Sequence, residues 1–150
     1  MRMTFTATAI LASLLVGSVS AHKGASGVVK ERMDVMQDFA DATKGIKAML
    51  FEPKSPAYGD LAAVRAAAAR IAAGADHTFA HMYPKGSNAA PSDARAEIWA
   101  MPDAFQERAA ALKASAQSLA NTETQEDGQA AFKRLVAACA ECHKRFRAKK

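Results

Sequence analysis

Residues 132–146 read FKRLVAACAECHKRF, and the spacing of their apolar side chains decides the fold class. Phe132, Leu135, Cys139, Cys142 and Phe146 recur at intervals of three and four, which puts them on one face of a helix. Thr124 stands before this segment as a helix N-cap, with Glu126 and Asp127 in the first turn where acids favour the helix dipole. Three earlier segments repeat the pattern. Val28, Val35, Phe39, Ala42, Ile46 and Met49 form the first stripe; Leu61, Val64, Ala68, Ile71, Ala75 and Met82 form the second. Phe105, Ala109, Leu112, Ala116 and Leu119 form the third, after an entry turn with Ile98, Trp99 and Pro102. Breaker-rich stretches separate them at 52–59, 84–93 and 121–128, and nothing between shows the period of two that a half-buried strand needs. The expected fold is all-α, an antiparallel up-down-up-down four-helix bundle. The alanines of the second and third stripes would let helices approach closely or leave room for a guest.

Inside the fourth segment, Cys139-Ala140-Glu141-Cys142-His143 is a C-x-x-C-H pattern, the spacing of c-type haem attachment. Two thiols three residues apart on a helix can each add to one of the two vinyl groups of a porphyrin. The adjacent imidazole then lies under the ring and can bind the iron. On the helix, both cysteines lie on the buried stripe and His143 flanks it, so all three can face the bundle interior. Other readings of the motif fit less well. A thioredoxin-like dithiol belongs in a βαβ unit, which the pattern lacks. A zinc site wants about four ligands, and a disulfide across one turn would be strained. One motif implies one covalently attached haem c per chain.

The sequence has 150 residues, enough for one domain with its own core. It opens with Arg2, an apolar run over 9–16 and small residues ending Val19-Ser20-Ala21, the pattern of a secretory signal peptide cut after Ala21. Residues 1–21 are thus expected to be removed and 22–150 to form the haem domain, exported to the periplasm with no stable membrane insertion. Loss of Arg2 takes the formal net charge from +5 to +4. That balance favours acidic-surfaced partners. Nucleic acid is not suggested, because the basic residues are dispersed without interleaved aromatics. The terminal cluster Lys144, Arg145, Arg147, Lys149 and Lys150 suits the end of a helix dipole, and a docking role is the second reading.

The second axial ligand is the open question. His22 would be the new N-terminus. His77 and His81 are one turn apart, a spacing found on solvated helix faces and in metal chelates alike. Met33, Met36, Met49, Met82 and Met101 are the thioether candidates, each with core packing as its ordinary role. Met36 stands out through a neighbour. Arg32 occupies the stripe between Val28 and Val35, where an apolar residue is expected, and a charge there needs a partner. A haem propionate would fit its guanidinium; a snorkelling surface arginine is the other reading. Met36 follows one turn later on the same side.

Together, the leader, the bundle and the C-x-x-C-H in its last helix resemble the cytochrome c prime superfamily. Residues 28–36, VVKERMDVM, with Ile98-Trp99 and residues 143–147, HKRFR, are most similar to its low-spin cytochrome c-556 branch. The resemblance implies His143 as proximal ligand, Met36 at the distal position, and Arg147 near the proximal pocket. It also implies that dimers packed through the first two helices occur alongside monomers, so a homodimer is possible here. The expected function is a periplasmic single-haem electron carrier with His/Met ligation, since six-coordinate iron in both oxidation states needs little reorganisation. No acid/base or nucleophile constellation points to an enzyme. The alternative is a high-spin cytochrome c prime that binds or scavenges a small gas such as nitric oxide. A non-haem structural bundle is a third class, distinguished by the lack of a covalent pigment.

Overall fold

The computed structural model describes residues 24–149; the expected leader, His22 and Lys150 lie outside them. Among the described residues there are four long helices and one short helical turn: α1 (Gly27–Phe51), α2 (Leu61–His81), α3 (Glu97–Ala100), α4 (Pro102–Ala120) and α5 (Gln125–Phe146). α1 packs on α2 and α5, and α4 packs on α2 and α5. Each long helix thus lies beside its neighbours in sequence, and the last closes against the first. This is the expected four-helix bundle.

Local chemistry sets the helix starts. The Asp60 carboxylate accepts from the Ala63 N–H at 2.9 Å, and the Thr124 hydroxyl accepts from the Asp127 N–H at 3.1 Å, each satisfying an orphan donor of a first turn. Pro102 begins α4, where its missing N–H costs nothing. α5 starts at Gln125, so Gly128 belongs to the helix and not to the connection before it. A Cβ at Gly128 would stand 3.0 Å from Leu50 Cδ2, so glycine allows α5 to close on α1 here.

The core is filled by Ile46, Leu50, Val64, Ile71, Leu119 and Leu135, all essentially inaccessible to water. Buried Ala67, Ala68, Ala72, Ala75, Ala109 and Ala116 let α2 and α4 approach closely. The α1 stripe departs from expectation. Ile46, Met49 and Leu50 are buried, but Val28, Val35, Met36, Phe39 and Ala42 are only half-buried. Protein therefore covers the apolar face of α1 well at one end and incompletely at the other.

Two sets of contacts fix what lies beside that face. Gln125 and Gln129 donate to the Leu50 carbonyl at 3.2 and 2.7 Å, which sets the start of α5 against the end of α1. With the helices antiparallel, Met36 comes level with the turn 139–143. The same logic orders α1 against α2. Arg32 donates to the Met82 carbonyl at 3.3 Å, and the Phe39 ring lies against Gly74, where a Cβ would stand 2.8 Å from Cε1.

Candidate functional site

Cys142 is buried and Cys139 half-buried on the inner stripe of α5, and both are free thiols. Burial, followed by the neighbouring Cys139 and opposed by Arg108, pushes the Cys142 thiol up to about 11. Burial likewise raises Cys139. These are protonated, unpaired sulfurs one helical turn apart. His143 departs from the expectation that all three residues face inward, because its side chain is exposed at the surface. Position 143 is one residue beyond Cys142, about 100° further round the helix. Desolvation against the packed helix end, with the Arg147 cation second, holds its pKa below the ordinary imidazole value. A neutral imidazole keeps the lone pair that a metal requires.

Arg32 is 3% exposed, so the snorkelling reading fails. It donates to the Met82 carbonyl, to the Ser87 hydroxyl at 3.0 Å, to the Ser87 carbonyl and to the Ser92 hydroxyl. Its guanidinium also lies over the Tyr83 ring, 5.0 Å from the centroid, a cation–π contact. The partner that the buried charge needed is thus the connection between α2 and α3. Trp99 ties down the same connection, donating from Nε1 to the Tyr83 and Pro84 carbonyls at 3.1 and 3.0 Å.

Tyr83, which no periodic pattern singled out, joins the two halves of the site. It stacks on Phe79 and meets Phe105 edge-on at 4.8 Å; Phe105 in turn meets Phe146 of α5 at 5.2 Å. Burial raises its phenol to about 12, with Arg32 opposing and Cys142 adding a smaller push upward. Arg32, Tyr83 and Cys142 therefore share one electrostatic neighbourhood. A pH consequence follows. A raised folded pKa stabilises the fold below the phenol's unfolded value near 10, and that contribution is lost as pH rises through the folded value. The phenolate absorbance missing from a Tyr83→Phe chain should therefore rise near pH 12, and the variant should lose less stability between pH 10 and 12. A Tyr83 band rising at pH 10 would contradict this placement.

Among the methionine candidates, Met49 and Met82 are core residues, and Met101 accepts from Arg145 at 2.9 Å. Met33 and Met36 are half-buried, and Met36 packs against the core. His77 and His81 have ring centroids 5.1 Å apart on exposed positions near the end of α2. Among the described residues, no group of three or more His, Cys, Asp or Glu could hold a metal ion. Arg147 pairs with Asp93 at 3.5 Å, and around it the backbone of Phe146 and Ala148 bonds to Arg95 and Asp93. This pins the end of α5 to the loop before α3.

The donor set fits a covalently held haem c. Two unbridged thiols stand three residues apart on one helix, an imidazole whose protonation is disfavoured follows, and the half-covered apolar face of α1 is level with them. A flat apolar group with a charged rim suits that surface.

Comparison with known proteins bears this out. No curated protein matches the chain. Among solved structures, it is similar to cytochrome c' from Rhodopseudomonas palustris, at 29% identity and a TM-score of 0.74, covering 84% of this chain and 99% of that one. Cytochrome c' from Rhodobacter spheriodes matches at 25% identity and a TM-score of 0.73, over 82% and 96%. A nitric oxide complex of a cytochrome c prime variant from Alcaligenes xylosoxidans, 23% identical with a TM-score of 0.71 over 81% and 94%, shares the fold. A family model described as Cytochrome C' matches residues 27–147, from the first residue of α1 to the residue after α5. With no helix of the bundle outside that match, the chain belongs to the cytochrome c' family of covalent haem c proteins.

Proposed function

We propose that this chain is an exported haem c protein, tethered through Cys139 and Cys142 with His143 as proximal ligand, that takes up a small gas such as nitric oxide on the side facing α1. The observation that carries the proposal is the half-covered apolar face of α1, Met36 included, level with the attachment turn of α5. When bound through Cys139, Cys142 and His143, haem would supply an iron able to take up a diatomic gas. The protein's share is to exclude water and to limit what competes for that iron. Met36 lies among apolar neighbours, and its flexible thioether can move aside for a ligand. Arg32, on the same helix, anchors the α2–α3 connection beside that face, with its guanidinium engaged by Met82, Ser87 and Ser92. Arg147 discourages protonation of His143 and fixes the helix end that carries it. The similarity to cytochrome c' proteins, one of them a nitric oxide complex, supports the same reading. Export follows from the leader reading of residues 1–21. No helix among the described residues is long and apolar enough to cross a membrane.

One observation favours a second reading. Because Met36 comes level with the turn 139–143, its sulfur could serve as a sixth ligand, as in the c-556 type, and the chain would then carry electrons. Lys144 and Arg145, exposed beside the site, would orient an acidic partner and raise the on-rate. The absorption spectrum decides between them. The gas-binding reading expects a five-coordinate, high-spin spectrum in the purified protein, unchanged in spin state by Met36→Leu, with carbon monoxide bound after reduction. A low-spin spectrum that becomes high-spin in Met36→Leu would establish the carrier instead.

A further inference from the structure

Thr78 of α2 is wholly inaccessible to water, and its hydroxyl has no hydrogen-bond partner. A helical threonine or serine ordinarily satisfies its hydroxyl on the carbonyl one turn back. Two other helical hydroxyls of this protein do so: Thr43 donates to the Phe39 carbonyl at 2.7 Å, and Ser115 to the Ala111 carbonyl at 2.8 Å. Leaving a buried hydroxyl unpaired is costly, so such a group calls for an explanation. Its place in the bundle supplies one. Thr78 is one turn from Gly74, which receives the Phe39 ring, and one turn from Met82, whose carbonyl accepts from Arg32. Met36 lies one turn from Arg32 and about one from Phe39 on the opposing helix. The two antiparallel helices therefore bring Thr78 and Met36 to one level, which is also the level of the attachment turn. The other buried residues on this part of α2 are Ile71, Ala72, Ala75, Phe79 and Met82, so Thr78 is the polar exception on an apolar surface.

We infer that Thr78 is a ligand-contacting residue: its hydroxyl donates a hydrogen bond to a diatomic gas held on the Met36 side of the haem. The inference rests on the gas-binding reading and adds a specificity element to it. A donor at that place would favour ligands whose outer atom accepts a hydrogen bond and would slow their escape.

The haem-loaded, reduced protein with carbon monoxide as probe tests it. Thr78→Val keeps the shape and removes the donor, while Thr78→Ser keeps the donor. Thr78→Val should raise the carbon monoxide stretching frequency and speed its release about tenfold, the worth of one good hydrogen bond. Thr78→Ser should keep the wild-type values. Without gas, Thr78→Val should melt no lower than the wild type, because the hydroxyl it removes bonds to nothing in the bundle. Identical frequency and release rate in the wild type and Thr78→Val would overturn the inference while leaving gas binding intact. A Thr78→Val chain that melts lower or fails to fold would overturn it too, by showing the hydroxyl bonded inside the bundle. A wild type that takes up no carbon monoxide would sink the gas-binding reading itself, and this inference with it.

Discussion

A chain carrying Cys139→Ala and Cys142→Ala together should give no haem-staining band on a denaturing gel, where the unaltered chain gives one. The two sulfurs are buried or half-buried, unbridged and one turn apart, which suits them to hold one porphyrin at two points. A thioether survives detergent and heat, whereas a ligand bond through His143 does not, so denaturation separates tether from ligand. Either cysteine alone leaves one bond, so each single variant should still stain. His143→Ala should keep the covalent pigment and alter its visible spectrum. The double variant should also melt well below the loaded protein, because the face formed by Val28, Val35, Met36 and Phe39 is incompletely covered by protein alone. Staining that persists in the double variant would place the attachment elsewhere.

Much of this arrangement is legible in the sequence, because the features that set it are local. The three-four spacing of apolar residues gives the helices, Thr124 and Pro102 mark two of their starts, and the C-x-x-C-H turn carries its chemistry in five residues. What periodicity does not reveal is how far each stripe is covered. Val28 and Val35 look as buried as Ile46 in sequence, yet coverage depends on what α5 and the α2–α3 connection place opposite them. His143 shows the same limit on a smaller scale, since one residue off the stripe is enough to carry it to the surface. Arg32 was legible as a charge in need of a partner, but not which partner. Its acceptors lie 50 to 60 residues away, two of them backbone carbonyls, and backbone acceptors carry no residue-type signal. Tyr83 was hidden for a similar reason: it sits beside Pro84 at the edge of a breaker stretch. The orphaned hydroxyl of Thr78 follows from three-dimensional packing alone.

Arg32→Leu should be the most destabilising single substitution outside the hydrophobic core, lowering the stability of the bundle by roughly 3 to 5 kcal/mol. Leucine fills part of the volume and carries no donor, so the carbonyls of Met82 and Ser87 and the hydroxyls of Ser87 and Ser92 would all lose the cation that satisfies them. The stranded Met82 carbonyl is buried and the Ser87 and Ser92 acceptors are partly so, which costs more than the bonds themselves contribute, and the cation–π contact with Tyr83 goes as well. On a domain of this size the melting temperature should fall by about 10 to 20 °C. Arg32→Lys keeps the charge but offers three donors at one point in place of a planar fork, so it should recover only part of the loss. Ser92→Ala removes one acceptor oxygen, which takes bonds from Arg32 and from the Ala94 N–H, and should cost about 1.5 kcal/mol. The α2–α3 connection should loosen with Arg32→Leu, seen as faster amide exchange around Tyr83 and Ser87. The comparison of haem-loaded and haem-free protein separates the two roles of this arginine. If it only anchors the connection, both forms lose the same stability; if it also holds a propionate, the loaded form loses more. A melting temperature unmoved by Arg32→Leu in both forms would show that the connection holds itself, and that the buried guanidinium anchors nothing.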